Sequence, residues 1–394
     1  MNELFFLLKD KATDNFMPFL MASHSIFILV GLLLLSGLII FTIMAGLSMV
    51  GAYSERKISA YIQGRMGPNR VGPCGLYQPI ADLIKLMAKE NVVPHGARRF
   101  GYTAAPILVF LGAFLPFVAL NFSEHFVISG LGVGLYYIVS FAVLVMIGVL
   151  MAAWAPGNKW SLLGGLRLAV QMLAYTIPMG FCIVTIVLLT GSLNLNEIVK
   201  WQSEGFWILG WTIFRSPAAF LAFFIFFIAG MVSAKRAPFD LPEAESELVA
   251  GYHTEYTGLR FAIFSLSEYA TMYVVCALTA ILFLGGWIGP IPTPTIGVGR
   301  SLLGDFYDLT KSSGSYWEAI VTMLNSKGDI NIMFKEFIGF VNLLLKTLLL
   351  YFVMIWVRWT IPRIRIDQVL YIGFKVLLPF SMLCILIAAI QISI

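Results

Sequence analysis

Residues 217–234 read PAAFLAFFIFFIAGMVSA, a run of eighteen residues without a charged side chain. Apolar side chains cover every face of this segment, whereas a strand of a β-barrel would alternate apolar and polar residues over about ten positions. In a bilayer only a helix satisfies its own backbone in this way, and a span needs about 20 mostly apolar residues. The segment therefore predicts a transmembrane helix.

The whole chain shares this bias, because 59% of its 394 residues are hydrophobic and only 12% are charged. An average soluble domain carries about 25% charged residues, so a soluble enzyme, a disordered chain and a disulfide scaffold are excluded. We predict an all-α polytopic membrane protein with about eight transmembrane helices plus amphipathic interfacial helices, in one integral membrane domain over 1–394. The other predicted spans are 26–53, 101–121, 131–155, 166–191, 261–288, 337–361 and 372–394.

Lysine and arginine are distributed unevenly between the two sides of the predicted helices. Loops one (54–100), three, five (235–260) and seven hold 16 of the 26 basic residues. Because basic residues concentrate in cytoplasmic loops, these loops should face the cytoplasm and both termini the other side. The same spread over four loops argues against nucleic-acid binding, although the net charge is +5.

Candidate metal ligands are scattered along the chain. Neither the four cysteines nor the four histidines form a cluster or a CxxC pair, whereas haem, iron–sulfur and zinc sites need grouped ligands. We expect no metal or covalent cofactor in this chain, so electrons for any redox reaction would come from a partner.

Loop one contains Gly-Pro turns followed by a helix signal. Pro79 suits the first turn of a helix, and apolar residues then recur at helical spacing opposite Asp82, Lys85 and Lys89; they are Leu76, Ile80, Leu83 and Met87. This pattern predicts an amphipathic helix. It is either a surface helix with a solvated face or one wall of an amphiphilic pocket at the membrane surface.

Loop five is rich in carboxylates. Asp240 and Glu243 fit a capping box for a helix, but Glu245 and Glu247 exceed what capping needs. Carboxylates this close should raise one another's pKa values, which suits groups that hold and pass protons. Glu255, which lies near His253 and beside Tyr256, adds further proton-exchanging groups.

Ionisable residues are rare inside the predicted spans. Glu268 is the one acidic residue there, and Lys346 is the most central basic one. A charge at the bilayer centre costs about 2.5–3.5 kcal/mol on insertion scales, so both are candidates for a proton path. The alternative for Glu268 is a protonated side chain that hydrogen-bonds a neighbouring helix.

Four long strings resemble one known family. They are residues 55–90, which include QGRMGPNRVGPCGLYQPIADLIKLMAKE, then GNKWSLLGGLR (157–167), RAPFDLPEAESELVAGYHTEY (236–256) and VRWTIPRIRIDQ (357–368). Together they resemble the H-type membrane subunits of respiratory complex I, the NADH:quinone oxidoreductase. Members of that family join the hydrophilic arm to the membrane arm of the complex.

The resemblance implies a function in quinone reduction coupled to proton translocation, in a bacterial cytoplasmic (inner) membrane. Quinone would be a substrate, and the partners would be lipid, peripheral iron–sulfur and quinone-site subunits and neighbouring membrane subunits. By matching position, the residues that line or brace the quinone tunnel would be Glu55, Arg56, Arg65, Asp82, Lys85 and Phe239. The residues that continue from Arg236 into the proton path would be Asp240, Glu243, Glu245, Glu247, Glu255 and Glu268.

Two positions depart from the family pattern. Family members usually carry Glu after the tyrosine that matches Tyr175, and Thr176 stands there in this chain. They also read Ala-Glu-Thr-Asn-Arg where this chain has residues 232–236, so Ser233 replaces a second carboxylate. The route of the proton is therefore open. The segment 289–336 is longer than in compact members and should form an excursion on the opposite side.

Two other functions compete with this interpretation. A homologous component of a membrane-bound hydrogenase-like complex would pump ions without quinone. A free-standing secondary transporter should often show internal repeats, and we find none in this sequence. The nearly complete loops one and five favour the quinone function, while the electron donor and the kind of quinone stay undecided.

Overall fold

A computed structural model describes residues 31, 34–204, 207–242, 245–290 and 327–393, and this part of the chain forms helices without a strand. The chain divides into two compact units, Met1–Gly46 and Leu47–Ile394, and the packing described below belongs to the second. The longer helices are α1 Leu34–Ile62, α2 Gln78–Ala88, α3 Arg99–Ala119, α4 Gly134–Trp154, α5 Lys159–Thr190, α6 Leu195–Ser203, α7 Pro217–Ser233, α8 Gly258–Phe283, α9 Lys327–Thr360 and α10 Ile366–Ser393. Single turns of helix form at Pro73–Gly75, Trp207–Gly210, Thr212–Arg215, Glu245–Leu248 and Gly251–His253.

The described helices confirm the predicted all-α membrane protein. Seven of them are long and apolar enough to cross a membrane: α1, α3, α4, α5, α8, α9 and α10. Helix α7 has 17 residues, about 26 Å, which is close to the thickness of the hydrocarbon core. Each of the eight predicted segments therefore corresponds to an apolar helix. The N-terminal residues of the first segment and most of 289–336 lie outside the described residues.

The first helix is longer than its hydropathy indicates. The sequence predicts its end at residue 53, but α1 continues to Ile62. Glu55 and Arg56, which hydropathy assigns to loop one, therefore lie on its last turns. The helix continues because Glu55 is buried against other parts of the bundle, so a charged residue does not mark the water boundary here.

Helix α8 occupies the centre of the bundle, since it packs against α3, α7 and α9. All of its residues from Met272 to Phe283 are buried. Because other helices surround α8, none of its faces has to be apolar for contact with lipid. The helix can therefore carry a polar group such as Glu268. Helices α3 and α4 pack closely through glycine, because a Cβ at Gly112 would come within 2.7 Å of the Val145 side chain.

The amphipathic helix of loop one is confirmed as α2. Asp82 pairs with Arg56 of α1 and accepts a hydrogen bond over 3.2 Å from Gln78 of α2 itself, whereas Lys85 is exposed. The apolar residues Ile80, Ile84 and Met87 are also exposed. Helix α2 therefore offers apolar side chains to lipid or to an apolar ligand.

The capping box expected from Asp240 and Glu243 stays a prediction. A described turn of helix covers Glu245–Leu248. The Asp240 carboxylate lies 3.5 Å from Arg363. Asp240 therefore ties loop five to the segment between α9 and α10. Glu243 lies outside the described residues.

Candidate functional site

Glu55 forms the centre of a buried ionic cluster at the loop-five end of the bundle. Its carboxylate accepts a hydrogen bond from Arg358 of α9 and another, over 3.3 Å, from Arg236. Burial of a lone carboxylate costs several kcal/mol, and two guanidinium groups compensate this desolvation.

Arg236 connects this cluster to the interior. Its guanidinium is buried and lies 4.4 Å from the centre of the Tyr269 ring. Burial lowers the pKa of Arg236, but the charges of Glu55 and Glu268 outweigh burial and raise it above its ordinary value. Arg236 is therefore a permanent cation that acts on Glu55 and Glu268 together. Its Nε and Nη2 atoms find no acceptor among the described residues, so they can hold water.

Glu268 belongs to a second cluster, in which four protonatable side chains touch. The Tyr252 hydroxyl donates to Glu268 Oε1 over 2.6 Å, and His253 Nε2 lies 3.2 Å from the same oxygen. Lys235 Nζ donates to the Tyr252 hydroxyl over 2.9 Å and lies 4.0 Å from Glu268. Because each group lies within or near hydrogen-bonding distance of the next, a proton can move through the cluster by small shifts.

The backbone turn after α7 sets the directions of the Lys235 and Arg236 side chains. Lys235 has a φ of 53°, a left-handed conformation that costs a non-glycine residue about 1–2 kcal/mol. The turn ends α7 at Ser233 and sends Lys235 toward Glu268 and Arg236 toward Glu55. Lys235 and Tyr252 were missing from the sequence prediction, and so was Arg358, although it lies in one of the strings that carry the family resemblance.

The residues predicted for the quinone tunnel fall into three groups. Arg56 and Asp82 form an ion pair that joins α1 to α2. Arg65 and Lys85 are exposed, and Arg65 donates only to Gln63, over 2.7 Å. Phe239 is buried, with its ring centre 5.6 Å from that of Tyr175. The structure thus brings Arg56, Asp82 and Glu55 to one region and places Phe239 in the core.

The described carboxylates of loop five each have a partner elsewhere in the chain. Glu247 pairs with Arg167 of α5, and Glu255 accepts a hydrogen bond over 2.8 Å from Asn158. Asp240 pairs with Arg363. These contacts bind loop five to α5 and to the segment between α9 and α10, and the expected cluster of like charges stays a prediction. The side chain of Glu245 lies outside the described part.

Lys346 lies far from these groups. Its ammonium donates to the carbonyls of Leu284 over 2.5 Å, Gly286 over 3.0 Å and Ile288 over 2.6 Å. The sixteen residues from Glu268 to Leu284 correspond to about 24 Å of helix. The structure therefore does not bring Lys346 to the proton path predicted at loop five.

The two departures from the family pattern meet at one cavity. Thr176 and Ser233 line an apolar cavity of about 270 Å³ together with Thr271, and none of the residues that line it titrates. The Thr176 hydroxyl donates to the Met172 carbonyl over 2.7 Å, and Ser233 likewise donates to its own helix. The lining therefore supplies no side chain that could accept or release a proton near neutral pH.

Side-chain atoms of the kind that bind metal ions come together at the end of the bundle opposite loop five. Here the ligand atoms of Glu124, His125 and Glu336 lie within 4.8 Å of one another. Burial raises the pKa of Glu124, but the hydrogen bond and charge of Lys335, at 3.1 Å, outweigh it and lower the pKa. Glu336 accepts a hydrogen bond over 3.1 Å from the His125 main chain. The carboxylates are thus already engaged in an ion-pair network.

Comparison with known proteins agrees with the motifs. The sequence model of the NADH dehydrogenase family matches residues 34–389. The chain is 40% identical over 340 residues to the H-type subunit of NADH-quinone oxidoreductase from Chlorobaculum tepidum, covering 86% of each chain. The corresponding protein of Anaeromyxobacter dehalogenans is also 40% identical, over 347 residues that cover 88% of this chain and 78% of the relative. The chain therefore belongs to the NADH dehydrogenase family, as an H-type membrane subunit of complex I.

Proposed function

We propose that this chain forms much of the quinone-binding tunnel and the start of the proton path in a proton-translocating quinone oxidoreductase. The observation that carries the proposal is the electrostatic link between two buried clusters, around Glu55 and around Glu268. Arg236 pairs with Glu55, its guanidinium lies 4.4 Å from the centre of the Tyr269 ring, and the charge of Glu268 also acts on it. A charge that appears near one cluster therefore acts on the protons held by the other.

The quinone side of the proposal rests on α2. Its exposed apolar residues suit the hydrocarbon tail of a quinone, while the Arg56–Asp82 pair supplies polar groups for the head group. Arg65 and Lys85 would stand at the mouth of the tunnel, and Phe239 would brace its wall from the core. Glu55 lies one residue before Arg56, so the tunnel would lead to the buried cluster.

The proton side follows from the chemistry of quinone reduction. Reduction places negative charge on the head group until protons arrive. This charge would attract the guanidinium groups of Arg236 and Arg358, which otherwise pair with Glu55. The affinity of Glu268 for a proton would change in response, with Tyr252, His253 and Lys235 as its immediate exchange partners. The loop-five acids Asp240, Glu243, Glu245, Glu247 and Glu255 would supply protons to this point.

The chain itself would hold no redox cofactor. Electrons would come from peripheral iron–sulfur and quinone-site subunits that dock on loops one and five, and neighbouring membrane subunits would receive the proton signal. We place these loops on the cytoplasmic side of a bacterial inner membrane and both termini on the opposite side, in accord with the excess of basic residues in the odd-numbered loops.

Photolabelling of the assembled complex with an azido-quinone tests the tunnel. We expect label on peptides that cover residues 55–90, removed by excess unlabelled quinone. A matched pair of variants, Glu55→Gln at the cluster and Glu197→Gln at the other end of the bundle, shows whether the cluster matters for turnover. Labelling confined to other subunits, with normal turnover in Glu55→Gln, would contradict the tunnel in this chain. Absence of competable label from every subunit would favour a component of a hydrogenase-like complex that uses no quinone.

A further inference from the structure

We propose that a pocket between the first turns of α3 and α8 binds the phosphate group of an anionic phospholipid. The pocket has a volume of about 370 Å³ and lies on the same side of the bundle as loops one and five. Its lining residues are Val93, Pro94, His95, Arg99, Thr103 and Arg260. Basic pockets between transmembrane helices on the cytoplasmic side are the usual sites for anionic head groups.

The arginines of this pocket have unused hydrogen-bonding capacity. Among the described residues neither Arg99 nor Arg260 forms an ion pair with a carboxylate. The Nη1 atom of Arg260 is buried without an acceptor, while its guanidinium is fixed 4.7 Å above the Tyr102 ring. The Arg99 guanidinium, in contrast, is exposed at the pocket, so it is available to a phosphate oxygen bound there.

Two helix N-termini add to this positive field. Both α3 and α8 begin at the pocket, and neither has an acidic residue in its first turn or a side-chain cap at its start. The free N–H groups and the positive end of the helix dipole favour an anion at such a point. The pocket thus combines guanidinium groups with two uncompensated helix starts.

The surface below the pocket identifies the anion as part of a lipid. Arg99 and Thr103 are followed at the same four-residue spacing by Ile107 and Leu111, which are 52% and 37% exposed. They form one stripe along α3, polar at the pocket and apolar toward the hydrocarbon. Trp154, which is exposed and lies 5.4 Å below the Arg98 guanidinium, marks the interfacial level. A phospholipid would use both pocket and stripe, whereas free phosphate would use the pocket alone.

The test measures lipid retained by the purified, assembled complex. Delipidated complex is titrated with dioctanoyl phosphatidylglycerol, dioctanoyl phosphatidylcholine or inorganic phosphate. The bound ligand is measured by native mass spectrometry and by lipid extraction. We expect selective binding of phosphatidylglycerol and about 25-fold weaker binding in Arg99→Gln/Arg260→Gln than in the parent complex, since each of the two basic residues contributes about fivefold. Arg99→Gln alone alters only an exposed side chain, so it should fold and show an intermediate loss.

The matched control is Arg98→Gln/Lys159→Gln, which removes two charges from the same side of the membrane outside the pocket and should bind phosphatidylglycerol normally. An equal loss of phosphatidylglycerol binding in the control would show that general surface charge, and not the pocket, determines binding. This result would overturn the proposal. Displacement of the lipid by millimolar inorganic phosphate would make the pocket a free-anion site. Unchanged lipid with loss of a neighbouring subunit in the arginine variants would assign the pocket to an acidic protein segment instead.

Discussion

Two charged side chains, Glu55 and Lys346, are buried to the same extent but are satisfied in opposite ways. Glu55 is compensated by the side chains of Arg236 and Arg358, which come from two distant parts of the chain. Lys346 is held by three main-chain carbonyls that follow α8. Side chains can rotate and exchange protons, while carbonyls of a packed turn can do neither. Burial alone therefore does not distinguish a working charge from a structural one, and the nature of the partners does.

The largest effect should come from removing the titrating group of the Glu268 cluster. Glu268→Gln keeps the shape of the side chain and its hydrogen bonds but cannot release a proton. In reconstituted vesicles we expect at least about a tenfold fall in protons pumped per quinone reduced, a loss typical of removing a positioned proton carrier. Glu197→Gln at the opposite end is the control. A normal ratio in Glu268→Gln would make this carboxylate a structural group like Lys346.

The second largest effect should be on assembly and come from Lys346→Met. The substitution leaves the carbonyls of residues 284, 286 and 288 without their donor, at about 1–3 kcal/mol for each buried group that stays unsatisfied. We expect several-fold less assembled complex on blue-native gels, with normal pumping per quinone in the complex that remains. Normal assembly with lost pumping would place Lys346 on the proton path and remove the contrast with Glu55.

A smaller effect is expected where a charge pair is partly exposed. Asp82→Ala breaks the ion pair with Arg56, which is 48% exposed. Exposed pairs contribute about 0.2–1 kcal/mol, so the KM for quinone should rise up to about fivefold while the amount of complex stays the same. Glu90→Gln, just beyond α2, is the matched control. A loss of complex with unchanged KM would make α2 a docking surface only.

The smallest effect concerns pH and the network around Glu124. The folded pKa of this carboxyl is lowered from 4.5, chiefly by Lys335 acting against burial. Its contribution to stability is therefore complete above the unfolded value and is lost as pH falls through the folded value. The difference in Tm between the parent chain and Glu124→Gln should be present at pH 7 and should fall progressively as the pH is lowered below 4.5. A pH-independent difference would show that the network does not depend on charge.

Hydropathy predicted the membrane helices because lipid contact constrains whole segments, and 217–234 is a clear example. It missed the extension of α1 to Ile62 because a buried ion pair, rather than water, surrounds Glu55. The partner Arg358 lies 303 residues away, and one sequence does not reveal such pairings. The motifs located loops one and five but not the turn at Lys235. The carbonyls around Lys346 belong to the main chain. Since every residue has such a carbonyl, the residue types at these positions could not predict the contact.

The Lys346 contact also has a consequence for how the protein is made. Its acceptor carbonyls lie about 60 residues earlier in the chain, so the ribosome synthesises them before the lysine. A lysine near the middle of a helix costs about 2.5–3.5 kcal/mol during insertion. When α9 leaves the translocon, α8 and its following turn are already in the bilayer. The ammonium of Lys346 can then donate directly to the carbonyls of that turn. Synthesis in this order shields the charge from lipid, and a nascent chain without residues 284–288 should release α9 from the translocon more slowly.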